Sequence, residues 1–326
     1  MSIKRFALIG ASGHVAPRHV QAIKATGNSL VAATDPHDNV GFLDAYYPDA
    51  SFFTRFERFD RYMDKLKNQN KEVDFVSICS PNHLHDAHIK STLRWGADAI
   101  CEKPMVLNPW NIDVLKRVEK ESGKRIWNIL QLRHHPTIVA LKKKVEATTP
   151  EKIFDVDLTY ITSRGLWYYA SWKGQEEKSG GVATNIGVHF FDMLSWVFGE
   201  VKENVVHIHN HDRAAGYLEL EKARVRWFLS INNDVLPDEI KAKGQRTYRS
   251  VTIEGEELEF SDGFTDLHTR VYEDILAGNG CGIEGARKAI EIVNKVRTQT
   301  PKGLKGSYHP FAKIKQCKHP FKKSFK

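Results

Sequence analysis

Alternation between short apolar runs and amphipathic helical patterns over the first 132 residues constrains the fold more than any other feature. The apolar runs lie at 4–9, 29–34, 74–79, 98–101 and 125–132. Helical spacing of apolar residues predicts helices between them, at 14–26, 56–67, 84–94 and 110–121. Parallel strands buried on both faces have such continuous apolar runs. The pattern therefore predicts an α/β fold with a Rossmann-type, doubly wound parallel sheet.

The second half of the chain changes character near residue 150. Strand patterns lie at 153–162, 201–209, 217–220, 224–231, 250–253 and 257–260. Several are joined by short turns such as Glu254-Gly255-Glu256, which is typical of hairpins. Helical patterns lie at 185–197, 266–276 and 284–296. We expect a second, α+β domain whose open sheet is largely antiparallel.

These patterns predict two domains and a tail. The first covers residues 1–135 and the second residues 136–300, and the final helices, near 284–300, are able to pack back on the first domain. Residues 301–326 hold eight lysines and no acid, so the tail alone accounts for the net charge of +8. We expect this basic tail to be solvated and partly disordered. Nucleic-acid binding would rest on the tail alone and is not expected.

Composition narrows the class of protein further. No apolar run approaches the roughly 18 residues of a membrane span, so no membrane partner is expected. The four cysteines are scattered without CxxC spacing, which predicts neither a disulfide framework nor a zinc knuckle and favours the reducing cytoplasm.

A glycine turn follows the first predicted strand and begins the first helix. It reads Gly10-Ala-Ser-Gly-His-Val-Ala16, with GxxGxxA spacing. Glycine suits such a turn because the backbone must turn tightly and approach a pyrophosphate that the helix N-terminus attracts. The predicted cofactor residues of this turn are Gly10, Ser12, Gly13, His14 and Val15.

Asp35 ends the second strand, 25 residues after Gly10. A carboxylate there would bind the ribose hydroxyls and repel a 2′-phosphate, which favours NAD over NADP. The alternative is that Asp35 only forms a turn before Pro36.

Polar residues follow the next two strands, at the sheet edge where doubly wound folds bind ligands. Ser80, Asn82 and His85 follow one strand, and Glu102 and Lys103 follow the other. A lysine directly after a buried strand is a candidate acceptor of a proton. The alternative is two ordinary proline-containing loops.

These motifs resemble the glucose–fructose oxidoreductase/inositol dehydrogenase (Gfo/Idh/MocA) family. The resemblance rests on the glycine turn, on S-P-N-H-L-H at 80–85, on E-K-P at 102–104 and on a second-domain motif at 180–192. It covers about residues 4–300. It implies an NAD-dependent oxidoreductase in which Lys103 is the catalytic base and His189 polarises or relays the proton. The family commonly has aspartate at position 185, whereas this chain has Asn185, which cannot accept a proton.

Two further stretches, 129–135 and 160–174, resemble the UDP-N-acetylglucosaminuronate 3-dehydrogenases within that family. This resemblance implies oxidation of the sugar 3-hydroxyl to a ketone. A PLP-dependent aminotransferase would use the product, on the way to a diacetamido uronic acid of lipopolysaccharide O-antigen. It also implies a homotetramer built on the second domain's sheet, and it leaves open whether a 2-oxo acid reoxidises the cofactor in place.

The same resemblance implies the remaining site residues. Arg164 is preferred over Arg133 for gripping the uronate carboxylate or diphosphate, since guanidinium forks match such oxygens. The other substrate residues are Lys103, Tyr168, Asn185 and His189, and the other cofactor residues are Gln131, Trp172 and Lys173. Asp192 either orients the His189 ring or caps a polar pocket.

Alternating histidines at 207, 209 and 211 would share one strand face and suit zinc or nickel, but no metal is expected because no carboxylate or cysteine lies nearby in sequence. Two other functions stay open. One is another sugar or inositol dehydrogenase of the family, and the other is a non-catalytic NAD-binding regulator.

Overall fold

The computed structural model describes residues 2–259 and 266–321 of the chain. Contacts divide it into two compact units. The first unit comprises Met1–His134 with Thr265–Arg287, and the second comprises His135–Phe264 with Lys288–Lys326.

Six parallel strands form sheet A of the first unit. They are β1 (Arg5–Ile9), β2 (Ser29–Thr34), β3 (Ser51–Phe53), β4 (Phe75–Ile78), β5 (Asp98–Cys101) and β6 (Ile126–Asn128). Their order is β3-β2-β1-β4-β5-β6, and every pairing is parallel. The connectivity reverses between β1 and β4, so the loops after these two strands border the crevice in which doubly wound sheets bind ligands. The predicted Rossmann-type sheet is confirmed.

Five helices complete the first unit, numbered here in chain order with those of the second. They are α1 (Ala16–Ala25), α2 (Phe56–Asn68), α3 (His85–Arg94), α4 (Pro109–Ser122) and α10 (Leu267–Leu276). Proline in the first turn and a left-handed glycine after the last delimit α4, because Gly123 has φ +66°. Helix α10 contributes Val271 and Tyr272 to the same core as Phe6 and Leu8 of β1.

Sheet B of the second unit is mixed. Its strands are β7 (Phe154–Thr162), β8 (Val201–His209), β9 (Arg213–Leu220), β10 (Ala223–Ser230), β11 (Thr247–Ile253) and β12 (Glu256–Glu257). The order is β12-β11-β7-β10-β9-β8. All pairings are antiparallel except that of β10 with β7, which is parallel. The prediction of a largely antiparallel sheet is thus confirmed.

Helix α8 covers one face of sheet B. The remaining helices are α5 (Pro136–Glu146), α6 (Leu166–Ala170), α7 (Glu176–Ser179), α8 (Val188–Phe198), α9 (Asp238–Ala242) and α11 (Ile283–Thr298), within which the division between the units falls. Phe191 of α8 packs edge-on against Trp227 of β10, with ring centroids 5.1 Å apart. The next residue of β10, Phe228, points to the opposite face because successive strand side chains alternate.

The C-terminal segment, residues 301–321, covers part of that opposite face. Phe311 and His309 stack against Phe228, and His207 of β8 has its two ring nitrogens 2.8 and 3.0 Å from the carbonyl oxygens of Gly303 and Ser307. The predicted basic tail is therefore bound to sheet B at these residues, whereas its described lysines are exposed. Apolar and hydrogen-bonded anchors between the lysines hold the segment on the sheet, and residues 322–326 lie outside the described part.

Several element bounds differ from the sequence expectation. The strand predicted at 125–132 ends at Asn128, since residues 131–134 form a 3₁₀ turn. Helix α5 and the short strand β3 were not expected. Of the strand predicted at 257–260, residue 260 lies outside the described residues. Among helices in the described ranges, none combines the length and apolar character that a membrane crossing requires.

Candidate active site

The glycine turn follows β1 and passes close to the end of β4. Gly10 has φ +85°, and a Cβ placed there would lie 2.5 Å from the backbone carbon of Cys79 and the backbone nitrogen of Ser80. A Cβ on Gly13 would lie 3.0 Å from the carbonyl oxygen of Gly10. Any side chain at Gly10 would therefore push β4 away from the turn.

Asp35 is tied to this turn. One carboxylate oxygen accepts the backbone N–H of Ser12 at 3.1 Å, and the other accepts that of His37 at 2.9 Å. The bond from His37 corresponds to the turn-forming role that the sequence left open for Asp35. The bond from Ser12 ties Asp35 to the glycine turn as well. Each oxygen keeps a lone pair, so the carboxylate is still able to accept a ribose hydroxyl.

The surroundings of the turn suit a dinucleotide. Helix α1 begins directly after it and has no acidic residue in its first turn, so its N-terminus keeps its attraction for phosphate. His14 and Val15 lie in the connection between the turn and the helix. Farther along the same sheet edge, Oε1 of Gln131 is buried and has no hydrogen-bond partner among the described residues. A buried acceptor of this kind is satisfied when a ligand donates to it.

The loop after β4 holds three of the predicted cofactor residues. Ser80 and Asn82 are buried, and the Ser80 hydroxyl lies 2.8 Å from Nδ1 of His88. His85, at the start of α3, has Nδ1 2.7 Å from the carbonyl oxygen of Pro104 and Nε2 2.8 Å from that of Ser80. Both ring nitrogens of His85 therefore face backbone groups of the protein itself.

Glu102 and Lys103 follow β5. Glu102 is buried, and its Oε1 accepts from Nε2 of His19 at 3.0 Å and from Nε2 of His268 at 3.2 Å. Its Oε2 accepts the backbone N–H of Lys103 at 3.1 Å. Burial alone would raise the pKa of Glu102, but the hydrogen bonds from the two imidazoles outweigh it and hold that pKa well below the usual value.

An ionised Glu102 fixes the direction of a longer hydrogen-bond chain. His19 donates from Nε2, and burial lowers its pKa, so its Nδ1 carries no proton and accepts the Tyr272 hydroxyl at 2.7 Å. Tyr272 in turn accepts from the Ser77 hydroxyl at 2.5 Å. Ser77, Tyr272, His19 and Glu102 thus form one directed chain of donors. Sequence spacing alone would not reveal this network, because Tyr272 lies 253 residues from His19 and His268 lies 166 residues from Glu102.

The trio His19, Glu102 and His268 also has the composition of a metal site, with ligand atoms within 4.8 Å of one another. Its observed distances are those of hydrogen bonds, whereas zinc–nitrogen bonds are about 2.0–2.1 Å. The second nitrogen of His19 is taken by Tyr272, as second-shell partners also do in metal sites. Since hydrogen bonds already satisfy the carboxylate, the arrangement is explained without a metal.

In the second unit, the glycine motif builds a π-helical turn. Gly180 and Gly181 have φ +80° and +77°, and residues Ala183–Gly187 form the turn that leads into α8. A Cβ on Gly187 would lie 2.4 Å from Cδ1 of Leu229. The sequence predicts one regular helix over 185–197, and the structure instead has a wider turn at its start, a feature often found at functional sites.

Asn185 lies in this π-helical turn and donates from Nδ2 to the Tyr168 hydroxyl at 2.8 Å. Burial raises the pKa of Tyr168, partly opposed by that bond and by Arg164, so its hydroxyl stays protonated. The structure thus brings together three predicted substrate residues, Tyr168, Asn185 and Arg164. His189 is half-buried at the start of α8 against Phe190, and Asp192 is buried one turn later.

The loop between β7 and the π-helical turn carries the other predicted residues. Arg164 is exposed, and Lys173 lies over the rings of Trp167 and Trp172, with its Nζ 5.4 and 5.6 Å from their centroids. A Cβ on Gly174 would lie 2.5 Å from the Cα of Tyr169, so the loop is tightly folded. Arg133, the alternative to Arg164, belongs to the first unit and donates to the Gly285 carbonyl at 2.8 Å.

The three alternating histidines do not converge. His207 contacts carbonyls of the C-terminal segment, His209 lies 3.7 Å from Glu176, and the His211 ring lies against Tyr169 and His319. The register of β8 shifts between Val206 and Ile208, which breaks the expected alternation. The prediction that they share one face as potential metal ligands is wrong.

The first unit has the features of an NAD-binding Rossmann domain, and the second is an α+β domain built on a mixed sheet. The family models agree: residues 4–129 match the oxidoreductase family's NAD-binding Rossmann fold, and residues 142–299 match its C-terminal alpha/beta domain. The chain belongs to the Gfo/Idh/MocA oxidoreductase family, and its cofactor is NAD.

Curated relatives match parts of the chain. The putative oxidoreductase YteT of Bacillus subtilis is 27% identical over 49% of this chain, and the inositol 2-dehydrogenase of Rhizobium meliloti is 26% identical over 60%. The putative UDP-kanosamine synthase oxidoreductase subunit of Amycolatopsis mediterranei is 33% identical over 40%. These alignments span 37%, 55% and 36% of the relatives' own lengths, respectively.

Solved structures match more completely. The WlbA (WbpB) dehydrogenase from Thermus thermophilus was solved in complex with NAD and alpha-ketoglutarate and in complex with NAD and UDP-GlcNAcA. It is 49% identical, with a TM-score of 0.91, over 95% of this chain and 100% of its own. The WlbA dehydrogenase from Bordetella pertussis, 20% identical with a TM-score of 0.73 over 91% of this chain and 95% of its own, shares the fold.

Proposed function

We propose that the protein oxidises the 3-hydroxyl of UDP-N-acetylglucosaminuronate to a ketone with NAD. The observation that carries the proposal is the 49% identity, over nearly the full length of both chains, to a dehydrogenase crystallised with NAD and UDP-GlcNAcA. The presence of Lys103 after β5 and of His189 at the start of α8, both within motifs that resemble those of the family, supports a catalytic rather than a regulatory protein.

Oxidation of a secondary alcohol requires a hydride acceptor and a proton acceptor. NAD, when bound, supplies the hydride acceptor. In this proposal the Lys103 amine accepts the hydroxyl proton, and His189 hydrogen-bonds the same oxygen or relays the proton. Glu102 fixes the Lys103 backbone through the bond described above. Because Asn185 has no proton-accepting oxygen of suitable basicity, it binds a sugar hydroxyl, and the charged groups of the substrate fall to Arg164.

The predicted cofactor residues are proposed in the same way. The glycine turn would hold the pyrophosphate at the N-terminus of α1, Asp35 the adenosine ribose, and the loop after β4 with Gln131 the nicotinamide half. Trp172 and Lys173, in the loop of the second unit, are the remaining cofactor residues of this proposal. The tight approach at Gly10 and the unsatisfied oxygen of Gln131 support this assignment.

The wider context is also proposed. A 2-oxo acid would reoxidise the cofactor in place, which the complex of the Thermus thermophilus enzyme with alpha-ketoglutarate supports. The 3-keto product has the carbonyl that a PLP-dependent aminotransferase requires. We propose that this aminotransferase uses the product in the synthesis of a surface polysaccharide. We infer a cytoplasmic protein because none of its four cysteines, all of which lie in the described residues, is in a disulfide bond, and we infer a homotetramer built on sheet B.

Turnover tests this function. The purified protein is incubated with NAD, UDP-N-acetylglucosaminuronate and 2-oxoglutarate, and the 3-keto sugar and 2-hydroxyglutarate are measured by mass spectrometry. Lys103→Met should bind NAD as the wild type does and lose at least about a hundredfold in kcat. Absence of product from the wild type would refute the proposal.

One alternative within the family follows from the relative that acts as an inositol 2-dehydrogenase. A panel of inositols and free sugars, assayed in parallel, separates the two. Turnover of a polyol without turnover of the UDP-sugar would favour that alternative, and NAD binding without any turnover would favour a regulator.

A further inference from the structure

We propose that His19, His268 and His85 are positioning residues that hold the backbone on both sides of Lys103 and thereby fix where its amine lies. The proposal rests on the function above, since it explains how the base is placed. All three imidazoles are buried, and they reach this loop from α1, α10 and α3. The family motifs at 80–85 and 102–104 do not include His19 or His268.

On the N-terminal side, the two histidines act through Glu102. Its Oε1 receives both Nε2–H groups, at 3.0 and 3.2 Å, and its Oε2 receives the Lys103 backbone N–H at 3.1 Å. Charged acceptors make hydrogen bonds roughly twice as strong as neutral ones. The carboxylate therefore transmits the positions of two helices to the peptide nitrogen of Lys103.

Each histidine is itself held. The Tyr272 hydroxyl donates to Nδ1 of His19 and receives the Ser77 hydroxyl, so the ring keeps the tautomer that donates to Glu102. The rings of His19 and His268 meet edge to face at 5.2 Å. Neither imidazole has room to rotate without losing a buried hydrogen bond, which makes this side of the loop rigid.

On the C-terminal side, His85 bridges two loops. Its ring lies between the carbonyl oxygens of Pro104 and Ser80, at 2.7 and 2.8 Å. The bridge joins the residue after Lys103 to the loop after β4. Burial lowers the pKa of His85 although the two carbonyls oppose this shift, so the neutral ring donates to one of the carbonyls and packs against the other.

Positioning of this kind affects the chemical step more than binding. A displacement of about 1 Å in a catalytic group costs on the order of a hundredfold in rate. The lysine side chain is long and flexible, so its reach depends on where its Cα is fixed. We call the hydrogen bonds of His19, His268 and His85 on the two sides of Lys103 the clamp. Loosening the clamp should therefore lower kcat and leave substrate and cofactor binding nearly unchanged.

The first experiment compares His268→Ala with His268→Gln, and adds Tyr272→Phe as a milder variant. The alanine should lower kcat about tenfold to a hundredfold, with KM for the sugar and Kd for NAD within threefold of wild type. The glutamine keeps an N–H donor and should recover much of the loss. Tyr272→Phe, which keeps the ring and loses the hydroxyl that donates to His19 and accepts from Ser77, should cost about threefold to tenfold.

A matched control separates positioning from simple destabilisation. His309→Gln removes an equally buried histidine in the second unit, where it bonds Thr159. If His309→Gln lowers kcat as much as His268→Ala at the same loss in thermal stability, the positioning role is refuted. A kcat for His268→Ala within threefold of wild type refutes it as well, and stoichiometric zinc in the purified protein would assign the trio to a metal instead.

A second measurement does not depend on the substrate. Reductive methylation of the wild type and of the variants, followed by peptide mass spectrometry, reports the pH dependence of labelling at Lys103, with the exposed Lys305 of the second unit as internal standard. The clamp variants should shift the Lys103 profile and leave that of Lys305 unchanged, and an unshifted Lys103 profile contradicts the clamp. If the wild type oxidises no sugar but the shift is seen, the proposed function fails and the clamp stands.

Discussion

Sheets A and B each have six strands but cover their faces by different means. In sheet A, successive residues of β1 and β4 are buried, so both faces lie under other elements of the unit. In sheet B, β7 alternates buried and more exposed positions over its first half. Helix α8 covers one face of sheet B, and the segment 301–321 covers only part of the other.

This difference in how their faces are covered shows where each sheet presents polar residues to solvent. Sheet A exposes little except the ends of its strands, and the predicted cofactor residues and Lys103 lie in the loops there. The uncovered part of sheet B carries charged pairs instead, such as Arg226 with Asp157. Stability of sheet B should therefore depend on the C-terminal segment, whereas sheet A should depend on close approach between its own turns.

Deletion of residues 301–326 should have the largest effect. It removes the packing of Phe311, Ala312 and Tyr308 on sheet B and the carbonyls that His207 and Nη1 of Arg213 bind, which leaves the buried Arg213 guanidinium with Asp212 as its remaining partner. At about 1.5–3 kcal/mol for each buried large side chain, the loss of unfolding free energy should be on the order of 5 kcal/mol. Thermal and urea unfolding measure it, and an unchanged midpoint would show that the segment is dispensable.

In sheet A, Gly10→Ala should cost about 3–4 kcal/mol, because a left-handed residue gains a Cβ that meets the end of β4. Gly27→Ala is the matched control. It has φ +74° and no atom within 4 Å of the added Cβ, so it should cost about 1 kcal/mol. Equal losses of stability for the two variants in urea unfolding would contradict a steric requirement at Gly10.

Acid should destabilise sheet B through His309. Burial lowers the pKa of His309 to about 4. The neutral ring accepts the Phe311 N–H at Nδ1 and donates from Nε2 to the Thr159 hydroxyl. The unfolded histidine titrates near 6.5, so stability is complete above that pH and falls as the pH drops toward 4. The loss should reach up to about 3 kcal/mol. Unfolding free energies between pH 7 and 4 test this, and His309→Gln should flatten the profile.

The smallest loss of unfolding free energy should come from removing positive charges of the C-terminal segment. Replacing the exposed Lys305, Lys313 and Lys315 by glutamine removes three positive charges and none of the apolar anchors. Exposed charges contribute little, so the unfolding free energy should change by less than about 0.5 kcal/mol. A larger loss would mean that electrostatics, rather than packing, holds the segment on sheet B.

Much of the fold could be predicted from local patterns. Continuous apolar runs predicted five of the six strands of sheet A, all but β3, and proline and glycine marked ends of helices such as α4. What local patterns missed depends on distant partners. Lysines between the apolar anchors made the C-terminal segment look solvated, although Phe311 packs on Phe228 83 residues earlier in the chain.

The same limit applies to the candidate site. Gly10, Asp35 and Lys103 are detectable because each directly follows the turn or strand that positions it. His19 lies on the apolar face of its helical pattern, which is a weak signal for a buried polar role, and nothing near His268 indicates that it meets Glu102. Ring nitrogens of His85 could not be assigned from sequence, because their acceptors are backbone carbonyls.

The wide turn at Ala183–Gly187 lets the side chains before α8 be placed independently of the packing of α8 on sheet B. Such a turn is an α-helix that has gained a residue, and the surplus is absorbed locally. Helix α8 consequently keeps its phase against sheet B whatever happens upstream. Mutation can therefore redirect the side chain of Asn185, for which we propose a bond to a sugar hydroxyl, without repacking Phe191 on Trp227. Relatives with other substrates would be expected to vary at positions 183–186 and to preserve Gly187, where an added Cβ would meet Leu229, and the helix that follows.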